Sequence, residues 1–516
     1  MKVNDIIIVG GGSAGWMAAA TLIKCFPNKN ITLIESPNIP TVGVGESTIS
    51  QIRGWTSLLG IEDKDFIPYT DASYKLSIKF TDFYKKGEAF HYPFGTPNTD
   101  NNSADLNDWW FKKSLYPETP NSDYADCLFP QMALVNENKC FLNEDNKIPF
   151  NFKNDTAFHF DATKFGLWLR DHYCIPRGVK HIKEDIKTIE QDDNGIKSLN
   201  KKYKADLFID CTGFKSLLLG ETLKEEFISF EDILPNNKAW ATKIPYKNKK
   251  KELESFTNCT AIENGWVWNI PMWTRIGTGY VYSDKFVDDE TALKQFQKHL
   301  GKKAPKNKSD YKNIKMKVGI HKRLWIKNVA AIGLSAGFIE PLESNGLYSV
   351  HEFLIELVRN LKREKVSQWD KDNYTFTCRQ KFENFVEFVA FHYALSHRDD
   401  TEYWKANLNK QWSKDIIDRT NTLTNGFLKN VIDRNFKFHH DSDGGIQAIA
   451  AGMNWAPTDL HNIIVNTKNN DIKNWNNYFK KATDNLERKK KQWKNAVKDV
   501  PSLHDFLLHN YYKRSS

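Results

Sequence analysis

Apolar blocks and polar breaks alternate along the chain in the manner of an α/β protein. Asp5–Val9 (DIIIV) reads as a buried strand, residues 10–15 (GGGSAG) as a turn, and the run to Phe26 as a helix that Pro27 stops. A second apolar strand, 31–34, ends in Glu35. Residues 72–80 alternate with period two, placing Ala72, Tyr74, Leu76, Ile78 and Phe80 on one face and Ser73, Lys75, Ser77 and Lys79 on the other. On periodicity alone the two lysines belong to a solvated sheet face. Residues 90–95 (FHYPFG) lead into a polar surface excursion over 96–108. A helix over 163–171 and an apolar strand over 205–210 form a return to the first strands. In 265–271 (GWVWNIP), Trp266, Trp268 and Ile270 share a face and make a rigid apolar wall. Residues 329–333 give another buried strand, and 334–347 lead into a helix reaching about Arg363. From Trp369 onward the pattern is largely helical, over 383–392, 403–412, 416–427 and 486–497.

The glycines at 10, 12 and 15 fit G-x-G-x-x-G between a strand and a helix: one for the tight turn, one for backbone approach to a pyrophosphate, one for helix-on-strand packing. Ser13 and Ala14 lie in the same turn, where helix amides face the phosphates. Glu35, twenty residues beyond Gly15, is placed to accept from a ribose hydroxyl. These features point to an adenine dinucleotide without choosing between FAD and NAD. Gly43, Gly45, Glu46 and Ser47 form a second stretch that can strap the cofactor, with Ser47 or Thr48 capping the following helix. Asp210 and Gly213 end the 205–210 strand in a second backbone approach. Small residues and helix amides coincide again from Gly333 and Leu334 to Gly346, a geometry that binds phosphate, carboxylate or halide, with Glu343 beside it.

At 516 residues the chain is long enough for about two to four packed units. No apolar run approaches the roughly 18 residues that cross a bilayer. The first strand begins so early that no signal peptide precedes it, and a cytoplasmic, non-membrane protein is expected. Seven scattered cysteines form no C-x-x-C pair or metal-ligand cluster, so they are expected to be reduced and no metal is implied. The net charge of +9 sits largely in Lys- and Asn-rich loops and in 480–498, a solvated face rather than a nucleic-acid site. A homo-oligomer is compatible with the sequence.

Together these segments resemble the flavin-dependent halogenases of the tryptophan-halogenase family, from Gly10 to about Asn454. GGGSAGW at 10–16 is similar to the family's FAD motif, WVWNIP at 266–271 to W-x-W-x-I-P, and FIEPLESNG at 338–346 to F-x-x-P-x-x-S-x-G. The resemblance implies an FAD-binding, Rossmann-like (flavin monooxygenase-like) α/β core with an inserted β-sheet substrate region over 1–365, and a mainly helical cap over 366–516. It implies FAD used as FADH2, a halide ion and dioxygen as reactants. It aligns Lys75 with the family's catalytic lysine, Glu343 with its active-site glutamate, and Asn345 and Gly346 with its halide site. Trp266, Trp268, Pro341 and Ser344 then line the passage for hypohalous acid, separating substrate from flavin. His91, Tyr92, Pro93, Phe94 and Trp455 fall at substrate positions. A single dinucleotide fingerprint implies a separate flavin reductase as partner. Gly333-Leu334 departs from the Gly-Asp of related flavin hydroxylases. Asp443-Gly444-Gly445 stands where tryptophan-specific members carry residues that grip free tryptophan, so a more open site for phenols, indoles and other electron-rich rings is expected. A strict tryptophan halogenase, a flavin-dependent aromatic hydroxylase and an RNA-binding flavoprotein are the alternatives.

Overall fold

The computed structural model describes residues 1–39, 46–98, 105–412, 445–454 and 474–513. Gly43, Gly45, Trp455 and the helix expected over 416–427 lie outside them.

The first sheet has six strands in the order Trp325–Ile326, Val329–Ala331, Leu207–Asp210, Asp5–Val9, Asn30–Glu35 and Lys180–Lys183, all parallel except the Trp325–Ile326 edge. Its central strand reads Ile6, Ile7, Ile8, Val9 because both faces are covered, and all four side chains are buried. The helix Ser13–Cys25 then packs back through Trp16 to Ile23. Gly10 has φ of +114°, and a Cβ at Gly15 would stand 1.8 Å from the Gly10 carbonyl oxygen. Helix and strand therefore meet at a distance that only glycine permits.

A second sheet of seven strands runs Lys312–Lys315, Lys238–Ile244, Ile276–Tyr282, Gly265–Pro271, Phe256–Ile262, Ser77–Thr81 and Ala89–Pro93. A small third sheet pairs Glu46–Ser47 and Ser73–Lys75 with Ala157–Phe160. The period-two stretch is thus two strands in two sheets. Its break is Leu76, whose amide donates to the Ser255 carbonyl (2.7 Å) and whose carbonyl accepts from Phe94 N (3.0 Å). This corrects the solvated face expected from periodicity: Lys75 is fully buried and Lys79 half-buried. The cap expected at Ser47 or Thr48 is corrected too, since Ser47 is a strand residue and the helix Ile52–Leu59 starts after Gln51. The polar excursion ends early, at the helix Asp105–Leu115.

The C-terminal part is helical. Gln368–Ala394, opened by a capping box between Ser367 and Asp370, lies along Gly346–Leu361. Trp475–Ala496 covers Asp105–Leu115. Among the described residues no helix is long and apolar enough to cross a membrane. All seven cysteines are free thiols.

Candidate active site

At the C-terminal edge of the first sheet lies a cavity of about 210 Å³ lined by Gly11, Ser13, Glu35, Ser36, Arg170 and Lys183. This is where an open parallel sheet binds its ligand. Glu35 Oε1 lies 2.6 Å from His181 Nε2, and its other oxygen crosses Gly11 so closely that a Cβ there would fall 1.6 Å away. A side chain at Gly11 would therefore displace Glu35, which the motif spacing does not reveal. Gly12 faces open space, leaving its backbone approachable. Ser13 Oγ donates to the Ala162 carbonyl (3.1 Å), and Ala14 touches Gly333. Gly213 (φ +71°) also faces open space, its carbonyl accepting from Ser335 Oγ (3.2 Å). Asp210 is spent internally: it accepts from Thr212 N and Oγ1 and from the amides of Leu218 and Leu219, holding the turn rather than presenting its carboxylate. Leu334 is partly exposed beside that turn.

Lys75 ends its strand inside the protein. Its Nζ donates to the Thr48 carbonyl (2.9 Å) and to Ser344 Oγ (2.8 Å) and stands 4.9 Å from the Phe94 ring centroid. Burial lowers its pKa to about 7, with Glu343 opposing the shift. Ser344 Oγ donates in turn to Ser47 Oγ (3.1 Å), which is 2.6 Å from Thr257 Oγ1, itself 2.9 Å from His159 Nε2. Ser344 reaches the lysine because its φ is +59°, a left-handed conformation uncommon outside glycine, in the turn closed by Ser344 N on the Pro341 carbonyl.

Glu343 is buried beside this turn, with Oε1 2.7 Å from His392 Nε2. Burial raises its pKa, against the opposing pull of His392 and Lys75. Glu340, one turn earlier, is fully buried and accepts at Oε2 from Trp266 Nε1 (2.6 Å), Tyr393 Oη (2.7 Å) and Asn236 Nδ2 (2.9 Å). It ties the double-tryptophan strand to the helix that carries His392. Glu340 falls within the FIEPLESNG motif and His392 opens a stretch through Trp404 that also resembles the family, but the sequence does not reveal what either does, because each owes its place to a partner distant along the chain. Trp266 and Trp268 are 6.2 Å apart between centroids, and Gly279 opposite Trp268 leaves room for its ring: a Cβ there would be 2.2 Å from the indole.

Asn345 and Gly346 open the helix Gly346–Leu361. Facing them is the half-buried Glu46: a Cβ at Gly346 would be 3.6 Å from its Oε2. Burial raises its pKa to about 7. His91, Tyr92 and Pro93 lie on the adjacent edge strand, with Phe94 following it. His91 Nδ1 is 3.0 Å from Ser77 Oγ, and burial, followed by Lys79, lowers its pKa to about 3. Tyr92 lies against Gly445, where a Cβ would be 2.7 Å from the phenol oxygen. The space that Gly445 was expected to leave open is filled by that ring.

A parallel sheet with a glycine turn at its C-terminal edge, together with the buried Lys75 amine and Glu343 carboxyl, fits an enzyme of the flavin-dependent halogenase class. A model of the tryptophan halogenase family matches residues 5–469, and the chain belongs to that family. It is 32% identical over 452 residues to the tryptophan 6-halogenase ThaL of Streptomyces albogriseolus, covering 83% of each chain. It is 34% identical over 430 residues to the tryptophan 7-halogenase RebH of Lentzea aerocolonigenes, covering 79% of each. Among solved structures it is similar to VirX1 in its apo form (38% identity, TM-score 0.89, 99% of this chain and 100% of that one). It is also similar to BrvH, a flavin-dependent halogenase from Brevundimonas sp. BAL3 (28% identity, TM-score 0.84, 98% and 99%).

Proposed function

We propose that this enzyme uses FADH2 and dioxygen to halogenate electron-rich aromatic small molecules, phenols and indoles among them, with chloride, bromide or iodide. The observation that carries this reading is the Lys75 amine, fully buried and held by Ser344 and Thr48 against an aromatic side chain. The cavity beside Glu35 and the bare backbone at Gly12 and Gly213 fit FAD, whose adenosine and pyrophosphate would be held by Gly10 to Gly15, Glu35 and the turns at Gly213 and Gly333. Residues 40–47 would strap it, residues 1–365 forming the cofactor and substrate core and 366–516 the helical cap.

Reduced flavin bound there supplies, with dioxygen, a two-electron oxidant for halide. The chain's own residues do the rest. The amides at Asn345 and Gly346 hold halide at a helix N-terminus. Trp266, Trp268, Pro341 and Ser344 wall the route by which hypohalous acid reaches Lys75. There Nζ donates a hydrogen bond that polarises it, or the neutral amine exchanges one N–H for N–halogen with release of water. Electrophilic halogen then meets a ring placed by His91, Tyr92, Phe94 and the segment at Trp455, and Glu343 receives the proton that ring loses. A separate reductase delivers FADH2 in a cytoplasmic setting.

The relatives named for tryptophan chemistry support a second reading, in which tryptophan itself is the substrate, and Tyr92 filling the place beside Gly445 removes one argument against it. The test is chemically reduced FAD, air, each halide separately and a panel of phenols, indoles and free tryptophan, with products identified by mass spectrometry. Halogenated products are expected from several rings. Product from tryptophan alone would select the second reading, and oxygenated product without halide would make the enzyme a hydroxylase.

Glu46 gives this site a pH dependence. Below about pH 7 its carboxyl is neutral and tolerates an anion at Gly346; above that it is charged and competes. The bromide KM is expected to rise several-fold between about pH 7 and 8.5, within the limit of about tenfold per pH unit. The Glu46→Gln variant should show a flat profile, and an unchanged slope in that variant would refute the assignment.

A further inference from the structure

We propose that His392 is the positioning residue of Glu343: the two share one proton, and His392 takes it up as Glu343 receives the proton lost by the halogenated ring. This rests on the halogenase reading above and assigns a residue to its last step.

Both residues are buried, at 0% and 1% exposure. The imidazole is fixed in place, its ring centroid 4.8 Å from Phe80 and 5.4 Å from Phe388. Its Nδ1 lies 3.0 Å from the Phe388 carbonyl oxygen, one turn back on the same helix. A carbonyl only accepts, so Nδ1 carries a hydrogen. The other ring nitrogen, Nε2, is 2.7 Å from Glu343 Oε1. Two bare lone pairs repel at that separation, so one of the two groups carries a proton. The pair is either a neutral imidazole facing a carboxylic acid or an imidazolium facing a carboxylate. Their approach is close but off the line of a good hydrogen bond, so that His392 Nε2 and both Glu343 oxygens are without a hydrogen-bond partner among the described residues. One oxygen is therefore turned to histidine and the other is available to a ligand. The remaining titratable groups facing Glu343 are the Lys75 amine and the Cys259 thiol.

A carboxyl alone in this pocket would be kept neutral by burial, and a neutral carboxyl is a poor acceptor for an arenium proton. The histidine removes that obstacle. The C–H bond at the halogenated carbon breaks and its electron pair restores the aromatic ring. The proton goes to Oε2, and the proton on Oε1 moves to Nε2. No oxidant or reductant is consumed, and the positive charge of the arenium ion ends on the imidazole.

The experiment compares wild type, His392→Gln and Glu343→Gln, using substrate deuterated at the halogenated carbon and following flavin reoxidation in parallel. Wild type is expected to show no primary isotope effect. Both variants should halogenate about 10²-fold more slowly and show a primary isotope effect, with flavin reoxidation unchanged. A His392→Gln enzyme with the wild-type rate, or one slowed without an isotope effect, would overturn the proposal. Should that variant fail to fold, wild-type proton NMR tests the pair directly. A far-downfield resonance absent from Glu343→Gln supports the shared proton, and no such resonance in wild type overturns it. Failure of wild type to halogenate any substrate would instead sink the halogenase reading, and the NMR result would still stand or fall alone.

Discussion

Lys75→Ala is expected to lower halogenated product by about 10²–10³-fold while FADH2 continues to be reoxidised, because the substitution removes the donor at the reacting halogen and leaves the dinucleotide site intact. The buried environment sharpens this expectation. With its pKa lowered to about 7, the amine is divided between charged and neutral forms near neutrality. If a neutral amine must carry the halogen, product formation rises as pH passes upward through that value. If a charged donor suffices, it falls. Lys75→Arg separates the two, since guanidinium stays charged and does not accept halogen readily. Unchanged yield from Lys75→Ala, measured by mass spectrometry with flavin absorbance followed in the same sample, would refute the assigned lysine.

Glu340→Ala is expected to be the most destabilising single substitution at the site, by about 3–5 kcal/mol. It removes the acceptor of three buried donors, Trp266 Nε1, Tyr393 Oη and Asn236 Nδ2, of which Asn236 Nδ2 keeps a second acceptor in Tyr393 Oη (3.0 Å). Glu340→Gln keeps the shape and one acceptor oxygen and should cost less. Chemical denaturation checks both, and an unaltered midpoint for the alanine variant would show that the three donors find other partners. Because the same carboxyl joins the indole wall to the His392 helix, the alanine variant, where it folds, should also release more free hypohalous acid than the glutamine variant, which a scavenging dye detects.

The parts of this molecule built from local pattern were readable from sequence. Asp5–Val9, the glycine turn, Glu35, the shared face of Trp266 and Trp268 and the helix after Gly346 all follow from short-range periodicity and turn chemistry. The burial of Lys75 was not, because a period of two cannot tell one continuous strand from two strands that part company at Leu76, and the solvated reading followed from that ambiguity, although the family resemblance singles the residue out. Ser47 was misplaced for a related reason: hydroxyl residues before an apolar run suit a helix cap, but here the pairing of Glu46–Ser47 with Ala157–Phe160 wins. The partners of His392, Glu340 and Gly11 escaped because each is a contact across the fold. At Gly445 the absent side chain is matched by the Tyr92 ring lying against it, another contact across the fold.

The break at Leu76 has a practical implication for altering which molecules are accepted. The amine hangs from one small sheet, while the edge strand bearing His91 and Tyr92 belongs to another, and a single leucine hinges the two registers. On the substrate reading proposed above, His91 and Tyr92 can be varied while Phe94, which stands against the amine, is kept, and a library so confined is expected to shift selectivity more than reactivity.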